Sequence, residues 1–260
     1  MIEWLESLPT AGSGLIIVGG FLVATLAVGY VVGRIAPREI RMEHNDLAGF
    51  ILAVIGVIYA VLLAFVTIGV WERFQQAESR TYEEAGALAV IYRDADSFPQ
   101  PQQLRSVVRR YTETVVTDEW PKMRRGRQSD AADAELEKID GIVRGLPVKT
   151  RSEQDVHDQM LAALATALSD RDVRLSEDAT GINGIMWGVL MAGAVVTVGF
   201  TYLFGFRRNV MQQLMTGSLG LLIGLVLFLT VALNYPYRGS ISVDPEAFHN
   251  ALKTYGTIGP

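Results

Sequence analysis

The chain has 260 residues, of which 50% are hydrophobic and 20% charged, with a formal net charge of −5 and no cysteine. A half-apolar composition with a positive mean hydropathy is unusual for a soluble protein and expected where apolar spans and a polar region share one chain. The missing cysteine excludes disulfides, thiolate metal sites and cysteine nucleophiles, and the acidic balance disfavours a nucleic-acid partner, whose phosphates need a concentrated basic face.

Residues 13–33 form the first of four uncharged apolar stretches. Each is long enough to cross the roughly 30 Å hydrocarbon core of a bilayer, which takes about 20 helical residues. The residues before the first stretch include no Lys or Arg, and the stretch outruns a signal-peptide core and lacks a small-residue cleavage site, so a retained span is expected. The second span, 47–71, shows no stop signal at Trp71. The run Glu72-Arg73-Phe74-Gln75-Gln76-Ala77-Glu78 continues in good helix formers until Pro99 and Pro101, which predicts one helix from about Asp46 to about Asp96.

Residues 72–181 carry 21 acidic and 16 basic side chains and read as a helical extramembrane domain. Leu104, Val107, Val108, Tyr111 and Val115 make one apolar stripe on a helix expected to end before Pro121, and a basic turn, Lys122 to Arg127, follows. Ser129 sits where an N-cap belongs, for a helix to about Arg144. Ser152 with Asp155 looks like a capping pair ahead of the stripe Val156, Met160, Leu164 and Leu168, which is expected to run unbroken towards span three. Spans three and four occupy 182–206 and 209–235, and the tail 236–260 reads as irregular, punctuated by Gly239, Pro245 and Gly259. No strand-like alternation stands out. The expected fold is an all-α membrane protein with four transmembrane helices in two hairpins and the helical domain between spans two and three.

Orientation follows from arginines. Arg34, Arg38 and Arg41 in one short loop and Arg207 and Arg208 in the other place both loops in the cytoplasm and the central domain on the extracytoplasmic side. Arg73, Arg80, Arg171 and Arg174, which flank the spans on the domain side, erase most of that bias.

Several residues are candidates for function. Small residues four apart at Gly29 and Gly33, Gly184 and Gly188, and Gly220 and Gly224 allow helix backbones to approach closely in lipid, within the chain or between subunits. Val57, Val61, Phe65 and Gly69 fall on one straight line of span two. Copies of this helix around an axis would turn that line into stacked apolar rings able to gate a pore by dewetting, although any membrane helix offers such a line. His44, Asn45 and Asp46 fit a helix cap at the lipid surface better than a pH sensor or cation site. Asn183 and Asn234 mark span ends. Glu119-Trp120-Pro121 suits a structural anchor. The three histidines lie far apart, no phosphate loop or G-x-S-x-G occurs, and the carboxylates read as scattered on solvated helices. Neither an enzyme, a cofactor nor a metal site is expected.

The run Glu43-His44-Asn45-Asp46-x-x-Gly49, then Gly56-Val57-x-Tyr59-Ala60-Val61-Leu62-Leu63-Ala64-Phe65, then Trp71-Glu72 with Ala77, Glu119-Trp120-Pro121, and the tail from Pro236-Tyr237-Arg238-Gly239 to Phe248, resembles the bacterial bestrophin-like family. More distantly it is similar to bestrophins proper, which are pentameric ion channels with a neck lined by apolar residues of the second helix. The resemblance implies a homo-oligomeric ion channel, anion-conducting in one version, in the bacterial inner membrane, with Val57, Val61 and Phe65 along the neck. Its partners would be the lipid bilayer, further copies of the chain and small ions. The exit Trp71-Glu72-Arg73-Phe74 follows the bestrophin pattern only loosely. The alternative is a non-conducting sensor or assembly module whose helical domain binds a partner or ligand.

Overall fold

The structure is a computed structural model and describes residues 10–35, 45–179, 181–204, 209–239 and 241–257. Within these residues it is helical, with no strand. Thr10–Gly14, a π-helical segment Leu15–Gly19 and Gly20–Ile35 follow one another as α1. Next come α2 (Asn45–Asp94), α3 (Pro101–Thr114, extended by a π segment Val115–Glu119 and by Trp120–Met123), α4 (Asp130–Arg144) and α5 (Arg151–Ala179). The chain ends in α6 (Gly184–Thr201), α7 (Asn209–Ala232) and α8 (Glu246–Thr257). Four of these helices, α1, α2, α6 and α7, are long and apolar enough to cross a membrane.

The chain divides into two compact units. The first holds the residues up to Glu72, Ile182–Asn234 and Gly239–Ile241. Its centre is a seam of Tyr59, Leu63 and Val66 from α2, Leu190, Ala194 and Val198 from α6, and Ile223 and Leu227 from α7. Lipid supplies no hydrophobic drive between helices, so close approach has to do the work, and glycines provide it. A Cβ at Gly220 would lie 2.9 Å from Thr25 Oγ1, one at Gly224 3.4 Å from the Val18 Cα, and one at Gly29 3.0 Å from the Tyr202 ring. Gly193 goes further, because a Cβ there would overlap the Tyr59 ring. Gly33, Gly184 and Gly188 face open space.

The second unit, Arg73–Gly181, Tyr235–Arg238 and Ser242–Pro260, is a helical bundle. Leu88 and Ile91 of α2, Val108, Tyr111 and Val115 of α3, Ile139 and Val143 of α4, and Met160 and Leu164 of α5 fill its core, and Phe248 and Tyr255 of α8 complete it. Every position of the α3 stripe read from sequence is buried.

Four expectations need correction. Proline 121 does not end α3. The π segment puts the Trp120 N–H on the Val115 carbonyl, and Pro121 falls in the first turn after it, where its missing N–H breaks no bond. The capping pair opening α5 lies two residues earlier than Ser152 and Asp155: the Glu153 N–H donates to Thr150 Oγ1 at 3.2 Å, and Glu153 Oε2 accepts from Thr150 N at 2.9 Å and Lys149 N at 2.6 Å. The run from α5 to span three is broken after Ala179, and Asn183 restarts the helix as an N-cap, its Oδ1 accepting from Ile185 N at 3.0 Å. Finally, the tail is not irregular throughout, since α8 packs its Ala247, Phe248, Ala251 and Tyr255 face into the second unit.

Candidate functional site

Both regions with functional potential draw on α2, a helix of 50 residues. In the first unit α2 has two unlike faces. Tyr59, Leu63, Val66 and Val70 are buried, whereas Val57, Val61 and Phe65 are 65%, 50% and 72% exposed. At 3.6 residues per turn these two sets point nearly opposite ways. Gly69, the fourth position of the line, is half-buried, and Phe50, Val54, Ile58 and Ile68 widen the apolar exposed face. Among the described residues of this unit, none covers that face. Trp71 and Glu72 continue it, both exposed. His44 lies outside the described residues, and Asn45 and Asp46 open α2.

In the second unit the same helix carries Glu84 into a charged cluster that sequence reading missed. Glu84, Glu119 and Arg174 are completely buried and Arg171 is nearly so. Arg174 Nε donates to Glu84 Oε2 at 2.8 Å and its Nη2 donates to Glu119 Oε1 at 2.7 Å. Arg171 Nη2 donates to Glu119 Oε2 at 2.5 Å, and its Nη1 reaches the half-exposed Asp133 at 2.5 Å. The Tyr111 hydroxyl donates to Glu84 Oε1 at 2.7 Å. The Arg174 guanidinium also stands 5.1 Å from the Trp120 ring centroid and 5.7 Å from that of Phe248. Two buried carboxylates thus face two buried guanidiniums, which cancels charge where desolvation is most expensive. Burial alone would depress the charge on Arg171 and Arg174, but the facing carboxylates reverse that and hold both pKa values above the ordinary value. Burial against Glu84 pushes the Tyr111 hydroxyl pKa well up, so it remains a donor. The carboxylates at these positions are therefore not on solvated faces: Glu84 lies on the same face of α2 as Ala77, Leu88 and Ile91, and Arg174 continues the α5 face that holds Met160, Leu164 and Ala167.

The motif patches converge here as well. Trp120 Nε1 donates to the Val243 carbonyl at 3.2 Å, and its ring meets Tyr237 and Phe248 edge-on at 5.7 Å each. The Pro236 carbonyl accepts from Val243 N at 2.7 Å across a loop in which Gly239 takes φ +77°, a left-handed conformation that glycine adopts without strain. Arg238 grips Asp178 through Nε and Nη2 at 2.9 and 3.1 Å. Glu119 and Trp120 are buried in the core, and Pro121 is exposed beside them. Among the described residues no group of His, Asp or Glu is arranged to hold a metal ion. His157 and His249 each face a backbone carbonyl, those of Val143 at 2.9 Å and Pro245 at 3.0 Å. Asn234 Oδ1 accepts from the Ile182 N–H at 2.8 Å, so it joins span ends by a hydrogen bond.

The pattern of the Bestrophin-like domain matches residues 19–248. The chain belongs to the bestrophin-like family. A crystal structure of a bacterial bestrophin homolog from Klebsiella pneumoniae carrying a single substitution superposes with a TM-score of 0.69 at 11% identity, over 92% of this chain and 98% of that one. A second single-substitution form of the Klebsiella pneumoniae homolog gives 0.66 at 10% identity over 92% and 99%. A crystal structure described only as a membrane protein gives 0.68 at 10% identity over 91% and 96%. At such identities the likeness establishes the bestrophin-like fold. No curated protein matches the chain.

Proposed function

We propose that the protein is a homo-oligomeric ion channel in which the exposed face of α2 lines the pore. The single observation that carries this reading is the unpartnered line Val57, Val61 and Phe65, opposite the face of α2 that packs inside its own unit. Copies of α2 around a shared axis would stack these side chains as apolar rings about 6 Å apart. A narrow ring of that kind holds back strongly hydrated ions by dewetting and passes weakly hydrated ones more readily, which agrees with anion conduction. In this reading spans one with two and three with four form hairpins, the helical domain surrounds an extramembrane vestibule, the protein resides in the bacterial inner membrane, and five copies close the ring.

The test is ion flux in liposomes reconstituted with the full chain. Val61→Ala and Phe65→Ala are expected to raise flux several-fold by widening the constriction; unchanged flux in both would overturn an α2 pore. Because the chain has no cysteine, a single Phe65→Cys substitution gives a clean second readout. Oxidation should link copies through Phe65→Cys and not through Val195→Cys, which sits on the exposed face of α6.

A further inference from the structure

Between the end of α1 and the start of α7, the two most closely packed helices of the first unit, lies a cleft of about 340 Å³. Its lining includes Thr25, Gly33 and Arg34 of α1 and Gln212, Gln213 and Thr216 of α7. Three of these polar side chains, Thr25, Gln212 and Thr216, are more than nine-tenths buried. No lining residue is acidic, and Arg34 has no ion-pair partner among the described residues. Its guanidinium rests 4.9 Å from the Tyr30 ring centroid, which holds it at the cleft. Gln212 is fixed by donating its amide N–H to the Phe204 carbonyl at 3.1 Å, and the Tyr202 hydroxyl donates to the Thr25 carbonyl at 2.6 Å.

A polar hole at the end of two apolar spans is costly unless something polar fills it. Arg34 is in the last turn of α1 and Gln212 in the first turn of α7, which places the cleft at headgroup depth. The first turn of a long helix adds positive dipole potential. Gly33 supplies the room. Its neighbour one turn back, Gly29, lies against Tyr202, whereas a Cβ at Gly33 would meet nothing within 4 Å.

We propose that this cleft seats the phosphodiester headgroup of an acidic phospholipid, with Arg34 meeting the phosphate and the Gln212, Gln213 and Thr216 side chains hydrogen-bonding around it. The ligand chemistry is a phosphate-bearing anion, and the lipid is its source. This site is independent of whether the protein conducts ions.

The full chain, stripped of lipid in a non-ionic detergent, would be mixed in separate samples with short-chain phosphatidylglycerol, short-chain phosphatidylcholine and inorganic phosphate. The unfolding midpoint and the lipid retained in native mass spectra would be read. Phosphatidylglycerol should raise the midpoint and remain bound, and the other two should not. Arg34→Gln and Gly33→Leu should each weaken retention by about fivefold or more, the first by removing the cation and the second by filling the space. Equal shifts with phosphatidylcholine would reduce the effect to a general lipid belt and overturn the proposal. Equal shifts with inorganic phosphate would overturn the lipid source, and unchanged retention in both variants would overturn the site. Arg34 is exposed, so Arg34→Gln keeps the fold, and its lipid-free midpoint checks that; should Gly33→Leu fail to fold, Arg34→Gln decides alone.

Discussion

The two units solve the problem of holding helices together in opposite ways. The membrane-spanning unit leaves large apolar side chains such as Leu15, Phe50, Phe65 and Leu222 on its outside and packs neighbours tightly against glycine, as at Gly193 under the Tyr59 ring. The helical unit surrounds buried charge with an apolar shell, setting Glu84, Glu119, Arg171 and Arg174 among Leu88, Tyr111, Trp120 and Phe248. The difference teaches that solvent decides which side chains are cheap to expose. Water rewards burial of every apolar group and so can carry the cost of an ionic centre, whereas lipid rewards only fit.

The contrast breaks most readily at the ionic centre. Arg174→Met leaves two buried carboxylates facing one guanidinium and should cost about 3–5 kcal/mol, read as a lowered unfolding midpoint in detergent; adding Glu84→Gln and Glu119→Gln should recover much of the loss. A midpoint unmoved by Arg174→Met would mean that the charges are not desolvated. In the other unit, Gly193→Leu forces the side chain into the Tyr59 ring and should cost about 1–3 kcal/mol, with partial rescue by Tyr59→Ala. If Gly193→Leu costs nothing, close approach is not what holds α2 to α6.

Smaller changes sharpen the comparison. Ser129 is buried, accepts from Ala132 N at 3.2 Å and donates to Asp118, so Ser129→Ala should cost about 1 kcal/mol in the helical unit. The smallest effect belongs to Glu177, whose Oε2 is buried without a hydrogen bond among the described residues and whose pKa burial raises, against the opposing pull of Arg73 and Arg80. The folded state then holds this proton to higher pH than the unfolded chain does, so its contribution to stability is present at low pH and is lost as pH rises through the raised value. Glu177→Gln should therefore raise the midpoint slightly at pH 7, and the gain should vanish near about pH 4. A gain independent of pH would point to packing instead of charge.

Most of the scaffold was legible in the chain. Hydrocarbon-length apolar runs gave the four candidate spans, the helix formers after Trp71 gave the unbroken α2, and Ser129 opened α4 where a cap belongs. The register of the α5 cap was misread because Ser152 and Asp155 imitate a capping pair that Thr150 and Glu153 form. The ionic centre was not legible. Its members lie on α2, α3 and α5, from position 84 to position 174, and although Glu84 and Arg174 fall in register with apolar residues of their own helices, spacing along one helix does not say which charge of another helix meets them. The glycine pattern carried only part of the packing: it marked Gly29, Gly220 and Gly224, and it passed over Gly193, whose importance depends on a tyrosine of another helix.

The buried face of α5 carries Asp170, Arg171, Arg174 and Asp178, so this helix has a single seat in its bundle. Sliding it by one turn would part Arg171 and Arg174 from Glu84 and Glu119 and leave buried charges without their partners. A purely greasy helix could rest in several neighbouring notches, but this one is keyed. What the ionic centre provides is an address, a reason for α5 to dock in one register and no other.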